Sequence, residues 1–209
     1  MDARIKIDNI PNKGKALIAT EKIPKNTVII KELPAFMIPK NKHIFCDIFQ
    51  LLYTIMNSND TETKNKFISL APDKIDNFLH HKKVFLKALH NLSRMRNKHA
   101  KKIYSFLVNN HTENEIVLLC AKYMCNAFEF GNDGPVILLL GTLMNHSCDP
   151  NVKFIKENGY MVFRTSRNIQ VGEELCDHYI DIKLPKNKRQ KMLKERYGFV
   201  CKCPRCIIE

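Results

Sequence analysis

The sequence lacks any apolar run long enough to span a bilayer. The longest, Val136 to Met144, is interrupted by Gly141, and a spanning helix needs about 20 apolar residues. No apolar stretch follows Met1, so no secretory signal is expected. These absences set the expectation of an intracellular protein, nuclear or cytoplasmic, with no membrane contact. Internal repeats and low-complexity segments are also missing, which excludes a solenoid or a biased linker. Acid is scarce: 21 Asp and Glu stand against 34 Lys and Arg, for a net charge of +13. The shortage is local. Lys82 to Lys102 carries Lys82, Lys83, Lys87, Arg94, Arg96, Lys98, Lys101 and Lys102 and no acid, and the bases of Lys183 to Arg205 face only Glu195. Such stretches attract nucleic acid or an acidic partner surface, or serve as solvated helix faces. No aromatic interleaving or nucleic-acid motif strengthens the first reading.

What is present is enough for one domain, or for a core with one insert: 209 residues, 44% of them hydrophobic. Cys46, Cys120, Cys125 and Cys176 are scattered and read as free thiols. The other cysteines are organised. Cys201-Lys202-Cys203-Pro204-Arg205-Cys206 is a C-x-C-x-x-C cluster, and a closed tetrahedral zinc site takes one further soft ligand. Cys148, inside Asn145-His146-Ser147-Cys148-Asp149-Pro150-Asn151, is the candidate. Buried apolar cysteines or a disulfide are the alternatives. Both sit poorly with thiols so close together in a chain without a secretion signal.

Alternation predicts strands over Arg4–Ile7, Lys15–Thr20 and Thr27–Glu32, with a short one over Ala35–Ile38. The period then becomes helical, beginning with Ile44, Phe45, Ile48, Leu51, Leu52 and Ile55. A helix follows over Lys64–Leu70, Pro72 is placed to open the next, and a break is expected near His80-His81. Thr112-Glu113-Asn114-Glu115 is a capping box, starting a helix expected to run to about Met124. Pro135–Leu140 reads as a buried strand or the approach to a short helix. Glu157-Asn158-Gly159 turns a hairpin between Val152–Ile155 and Tyr160–Thr165. Val171-Gly172-Glu173-Glu174 leads into a short strand, and Pro185–Tyr197 is a basic helix stopped by Gly198.

Several of these pieces together resemble the SET-domain protein lysine methyltransferases, and within them the SET-and-MYND branch. They are Lys13-Gly14-Lys15-Ala16-Leu17-Ile18-Ala19-Thr20, Cys125-Asn126-Ala127-Phe128, Asn145 to Asn151, Val171-Gly172-Glu173-Glu174-Leu175, Tyr179-Ile180-Asp181 and Arg196 to Cys206. The resemblance implies an α+β fold: a β-rich SET core over residues 1–40 and 120–182, a helical insert over 41–119, and a zinc-binding post-SET tail over 183–209. It implies S-adenosylmethionine and zinc as cofactors and a lysine-bearing protein, histone or non-histone, as substrate. Tyr179 corresponds to the catalytic tyrosine, and Phe128 and Tyr197 to the walls of the lysine channel. Gly14, Lys15, Asn126, Asn145, His146, Tyr179, Tyr197 and Phe199 correspond to cofactor contacts, and Cys148, Cys201, Cys203 and Cys206 to metal ligands. The metal would do no chemistry, since thiolates fill its coordination sphere; it would fold the tail so that Tyr197 and Phe199 come into place.

The chain departs from the family pattern at Ala16, where a second glycine is usual, and at Asp177-His178, where neutral residues are usual. Asp177 stands where a Phe or Tyr governing methyl number often sits. Residues 41–119 offer a single cysteine, Cys46, so the MYND finger is not expected; with the sequence stopping at Glu209, neither is the branch's helical C-terminal domain. A monomer is expected. Two other classes compete: a non-catalytic SET-fold module that binds a lysine or a partner surface, and a zinc-stabilised nucleic-acid binder. Cofactor binding discriminates the second, and turnover the first.

Overall fold

A computed structural model describes residues 1–11, 13–38 and 47–209. The turn residue Asn12, the thiol Cys46 and the start of the helical pattern at Ile44 and Phe45 lie outside the described residues. The chain forms two compact units, one of Met1–Pro34 with Leu138–Glu209 and one of Ala35–Ile137. The second is wider than the insert expected over 41–119, because the short strands on either side cluster with its helices.

In the first unit, β1 (Ile5–Ile10) and β2 (Gly14–Ala19) pair antiparallel from Ile5 opposite Ala19 to Ile10 opposite Gly14. The turn between them ends on Gly14, whose φ of 77° is a left-handed conformation that glycine adopts without strain. β10 (Glu174–Asp177) pairs antiparallel with β2 and parallel with β7 (Asn145–His146), giving the sheet order β1-β2-β10-β7. A second sheet is ordered β3-β9-β8, from β3 (Val28–Glu32), β8 (Val152–Glu157) and β9 (Tyr160–Thr165). The β8–β9 turn is the expected Asn158-Gly159, both residues at positive φ, 50° and 81°, as a two-residue hairpin loop requires. Leu17, Ile29, Ile30, Val152, Phe163, Ile169 and Leu175 form its core, each at most 1% exposed. Helix α6 (Lys186–Tyr197) ends at Gly198 as its sequence indicates, and a further short helix, α7 (Pro204–Ile208), follows the cysteine cluster.

The segment entering β7 is held by one carboxylate. Glu32 accepts the backbone N–H groups of Leu139 at 2.6 Å, Leu140 at 2.9 Å and Gly141 at 2.9 Å. Pro135–Leu140 thus realises both of its expected forms: a strand up to Ile137, then a 3-10 turn over Gly141–Leu143.

The second unit holds β4 (Phe36–Met37), α1 (Asp47–Met56), α2 (Thr61–Ile68), α3 (Leu79–Arg94), α4 (Lys98–Asn110), α5 (Glu113–Asn126), β5 (Ala127–Glu129) and β6 (Pro135–Ile137). The capping box is present: Thr112 Oγ accepts from Glu115 N, and the Glu115 carboxylate accepts from Thr112 N. Two local expectations are corrected. Pro72 opens no helix; the next helical turn starts at Asp76 and α3 at Leu79. The carbonyls around Pro72 are instead bonded by α5, with Lys122 Nζ donating to Leu70 O and Pro72 O and Asn126 Nδ2 to Ala71 O. His80 and His81 lie inside α3, and the break falls just before Leu79. Among the described residues, no helix is long and apolar enough to cross a membrane.

Gly141 is a glycine because of space. A Cβ there would lie 2.6 Å from Phe163 Cζ and 3.0 Å from its Cε2, and Phe163 is fully buried. Gly141→Ala is expected to destabilise the protein by about 1–3 kcal/mol, the usual range for overpacking a filled core. Chemical denaturation measures it, and an unchanged midpoint would contradict the packing assigned to Phe163.

Candidate active site and metal centre

The C-x-C-x-x-C residues and Cys148 converge although Cys148 stands far from the nearest of them, Cys201, in the sequence. The ligand atoms of Cys148, Cys201, Cys203 and Cys206 all lie within 4.8 Å of one another, and Cys206 Sγ is 3.5 Å from Cys148 Sγ. Zinc–sulfur bonds of ~2.3 Å in a tetrahedron place sulfurs about 3.8 Å apart, so the set fits zinc by spacing and by donor chemistry. Burial pushes the Cys148 thiol up to about 11, against the Arg189 hydrogen bond, which favours the thiolate. A bound cation reverses that balance, since thiolates rather than thiols ligate metal.

Arg189 supplies the neighbouring positive charge. It is 0% exposed, an unusual burial for an arginine on a basic helix. Its Nε donates to Cys148 Sγ at 3.2 Å, and its Nη2 donates to Cys206 Sγ at 3.6 Å and to Glu209 Oε2 at 2.5 Å. Its Nη1 donates to Leu184 O at 2.6 Å. Gln190, the next residue on α6, bonds the Cys201 backbone in both directions, at 2.7 and 2.8 Å. Arg205 donates to the carbonyls of Cys148 and Ile182, each at 2.9 Å. The tail is therefore fastened to the Cys148 loop by side chains as well as by thiols.

His146 connects this cluster to Tyr179. The Tyr179 backbone N–H donates to His146 Nδ1 at 3.0 Å, and Nε2 lies 3.3 Å from Cys148 Sγ. Burial lowers the His146 pKa to about 4, so the ring is neutral at pH 7. Because Nδ1 accepts, the ring's proton is assigned to Nε2, which then donates to the sulfur. On the other side of the same residue, the Tyr179 hydroxyl donates to Met144 O at 2.7 Å, and the Tyr197 hydroxyl donates to Tyr179 O at 3.1 Å. The ring centroids of Tyr179 and Tyr197 are 4.8 Å apart, and Phe199 meets Tyr179 edge-on at 6.4 Å. Tyr179, Tyr197, Phe199 and Cys203 pack on the buried cluster of Cys148, Ile180, Leu193, Cys201 and Cys206.

Asn145 faces the start of β2. Its amide donates to Lys15 O at 3.2 Å and to Glu174 Oε1 at 2.9 Å, while Lys13 Nζ pairs with the same carboxylate at 2.5 Å. A Cβ on Gly14 would meet nothing within 4 Å, so this backbone borders open space. Ala16, the departure from the family's glycine pattern, is fully buried, registers opposite Asp8 in the β1–β2 ladder, and is absent from the positive-φ positions. The strand geometry here asks for no glycine. Asn151 ties the motif to β10: it donates to Glu174 O at 2.8 Å and accepts from Cys176 N at 2.8 Å.

Of the candidate residues, Gly14, Lys15, Asn145, His146, Tyr179, Tyr197, Phe199 and the four clustered cysteines all belong to the first unit. Asn126 and Phe128 belong to the second. The Asn126 amide is used there, donating to Ala71 O at 2.6 Å and Lys122 O at 2.7 Å. Phe128 is a half-buried member of β5, opposite Val136. Sequence reasoning missed Arg189, Gln190, Glu174 and Glu32. Arg189 carries a faint signal, falling four residues before the buried Leu193 on one face of α6.

The sequence pattern of the SET domain family matches residues 14–180. The chain is 44% identical over 206 residues to the putative SET domain-containing protein L678 of Acanthamoeba polyphaga mimivirus, covering 99% of this chain and 78% of that protein. It is 29% identical over 206 residues to histone-lysine N-methyltransferase set5 of Schizosaccharomyces pombe, covering 98% of this chain and 50% of that protein. It is 37% identical over 91 residues to human histone-lysine N-methyltransferase SMYD3, covering 41% of this chain and 21% of that protein. Among solved structures, the SET domain of LSMT bound to methyllysine and AdoHcy superposes with a TM-score of 0.73 at 14% identity, covering 97% of this chain and 54% of that one. The chain belongs to the SET-domain family. It spans half the length of set5 and a fifth of SMYD3.

The freshly purified protein is expected to carry one zinc per chain, and Cys203→Ser to lose it. Arg189→Met, which removes the charge and its donors but keeps an unbranched side chain, is expected to weaken zinc retention about 10–100-fold. Competition with a chromophoric chelator measures this. Retention equal to wild type in Arg189→Met would show that the arginine only fills space.

Proposed function

We propose that this chain is an S-adenosylmethionine-dependent protein-lysine N-methyltransferase whose tail is closed by zinc. The observation that carries this reading is the gathering of His146, Tyr179, Tyr197 and Phe199 into one aromatic cluster, with Asn145 beside His146 on β7, in a SET-domain chain. When bound, S-adenosylmethionine supplies the methyl group. The residues fit such a molecule chemically. Lys15 O, Glu174 and the Asn145 amide oxygen are acceptors suited to an ammonium, and Phe199 offers a ring suited to adenine.

Lysine has a pKa near 10.4, so on the order of one amine in a thousand is neutral at pH 7. The protein must hold the amine in its neutral form and in line, away from water. Tyr179, fixed at its backbone by His146 and at its hydroxyl by Met144 O, supplies an oriented dipole for that purpose. Tyr197, bonded to the Tyr179 carbonyl, gives an aromatic wall suited to a lysine stem. The substrate class is a lysine-bearing protein, histone or non-histone. The thiol of Cys176, in no disulfide, suits the reducing, intracellular setting expected for this chain.

Transfer of label from S-adenosylmethionine onto core histones and a cell extract tests the reading. Saturating cofactor is expected to stabilise the protein, by about 2.7 kcal/mol at a hundred times the dissociation constant. Tyr179→Phe keeps the ring and removes one oxygen, so turnover is expected to fall on the order of a hundredfold with cofactor affinity changed only a few fold. Tyr160→Phe, in the β8–β9 hairpin, is the silent control. Cofactor binding without any turnover would favour the non-catalytic lysine-binding module instead.

A further inference from the structure

Asp177 lies on β10, two residues before Tyr179. Its side chain is 0% exposed. Its two carboxylate oxygens are the only buried side-chain nitrogen or oxygen atoms left without a hydrogen-bond partner among the described residues. The backbone around it is well used: its Cα registers against His146, and its carbonyl accepts from Ser147 N at 2.9 Å. Three polar side chains of the adjoining segments have partners of their own. Asn145 and Asn151 bond the β2–β10 region, and His146 is committed to the Tyr179 backbone and Cys148.

A buried carboxyl without donors costs several kcal/mol if it is ionised, and such a group stays neutral until a partner arrives. Burial pushes the Asp177 carboxyl well above the ordinary carboxylate range, and among the described residues no ion pair to it is formed. Of the strands that contact β10, β8 carries Lys153, Lys156 and Glu157, with Lys153 exposed. On β7 the neutral His146 registers against it. On its own strand the Cys176 thiol is pushed up to about 12 by burial, and His178, next in sequence, stacks on Phe154 at 5.3 Å. From β2's side, Lys13 is paired with Glu174. None of the described residues supplies a cation to this carboxyl, and the proposed substrate offers one: a primary ammonium that has to lose a proton.

Resting on the methyltransferase reading, we propose that Asp177 is the counter-charge and proton acceptor for the substrate lysine. The carboxyl is neutral in the free protein. As the ammonium arrives, the carboxyl releases its proton to solvent and an Asp177 carboxylate–lysine ammonium pair forms. One N–H bond of the ammonium then breaks and an O–H bond forms on Asp177, with the electron pair left on nitrogen. The amine becomes neutral as the carboxyl does, so no net charge is buried when the nitrogen becomes nucleophilic. A residue without a carboxyl at this position leaves deprotonation to bulk water.

The test compares wild type, Asp177→Asn and Asp177→Leu across pH on the substrate that wild type labels. With a carboxyl partner, kcat/KM levels off between the ionisation of Asp177 and that of the free lysine, because carboxylate plus ammonium and acid plus amine hold the same number of protons. Asp177→Asn is expected to lose that plateau and climb about tenfold per pH unit toward pH 10.4, with cofactor affinity unchanged. Superimposable profiles for wild type and Asp177→Asn, or an Asp177→Leu variant as active as wild type at neutral pH, would overturn the proposal. If wild type labels nothing, the methyltransferase reading fails, and the carboxyl is followed directly. Carbon-13 NMR of carboxyl-labelled aspartate, with S-adenosylhomocysteine and n-butylammonium added, is expected to show Asp177 ionising. An Asp177 signal that n-butylammonium leaves unchanged would overturn the proposal by itself.

Discussion

One imidazole joins the thiol cluster to the candidate catalytic tyrosine. His146 accepts the Tyr179 backbone N–H on one nitrogen and faces Cys148 Sγ with the other. A neutral ring can do both at once only with its proton on Nε2. The position of the Tyr179 main chain therefore depends on where Cys148 is held, and Cys148 is held by the tail. Tyr197 closes the circuit: it stands at the end of α6 and donates to the Tyr179 carbonyl. A metal at the cysteines would thus fix the position of a tyrosine that it does not touch. This is the usual relation between a metal's ligands and the groups that orient them, used in the opposite direction.

The polar accounting of the first unit follows from this constraint. Thiolates at a zinc site would leave excess negative charge, and Arg189, buried against two of the sulfurs, would offset part of it. Glu32 gathers the amides before β7, and Asn151 fixes β10 at the Cys176 amide. Each device satisfies backbone groups that irregular loops would otherwise bury unpaired. Against that background the unpartnered carboxyl of Asp177 is conspicuous. It lies on the strand that leads into Tyr179, where a cost in stability can be exchanged for chemistry.

Much of this was legible in the sequence because the signals were local. The capping box at Thr112, the Asn158-Gly159 turn, the Gly198 helix stop and the C-x-C-x-x-C spacing each specify geometry over a few residues, and each occurs as read. The joining of Cys148 to the tail cysteines followed from ligand number and not from proximity in the chain. What stayed illegible was long-range or compensating. Nothing near Pro72 announces that Lys122 and Asn126, some fifty residues on, bond the carbonyls around it. Arg189 reads as one more base on a basic helix until burial singles it out. Ala16 looked like a defect because a missing glycine was judged from a pattern; in place it is an ordinary strand residue. Asp177 was visible as a departure, but its lack of any partner is a property of the folded interior alone.

The most direct test of the bridge is nitrogen-15 NMR of the His146 imidazole in the zinc-loaded protein, assigned against His146→Gln. The expected result is a neutral ring protonated on Nε2 at pH 7, with its Nδ1 shift showing an accepted hydrogen bond. After zinc removal, the Nδ1 signal is expected to lose that bond as Tyr179 loosens. A ring protonated on Nδ1, or one whose signals ignore the metal, would contradict the coupling between cluster and tyrosine.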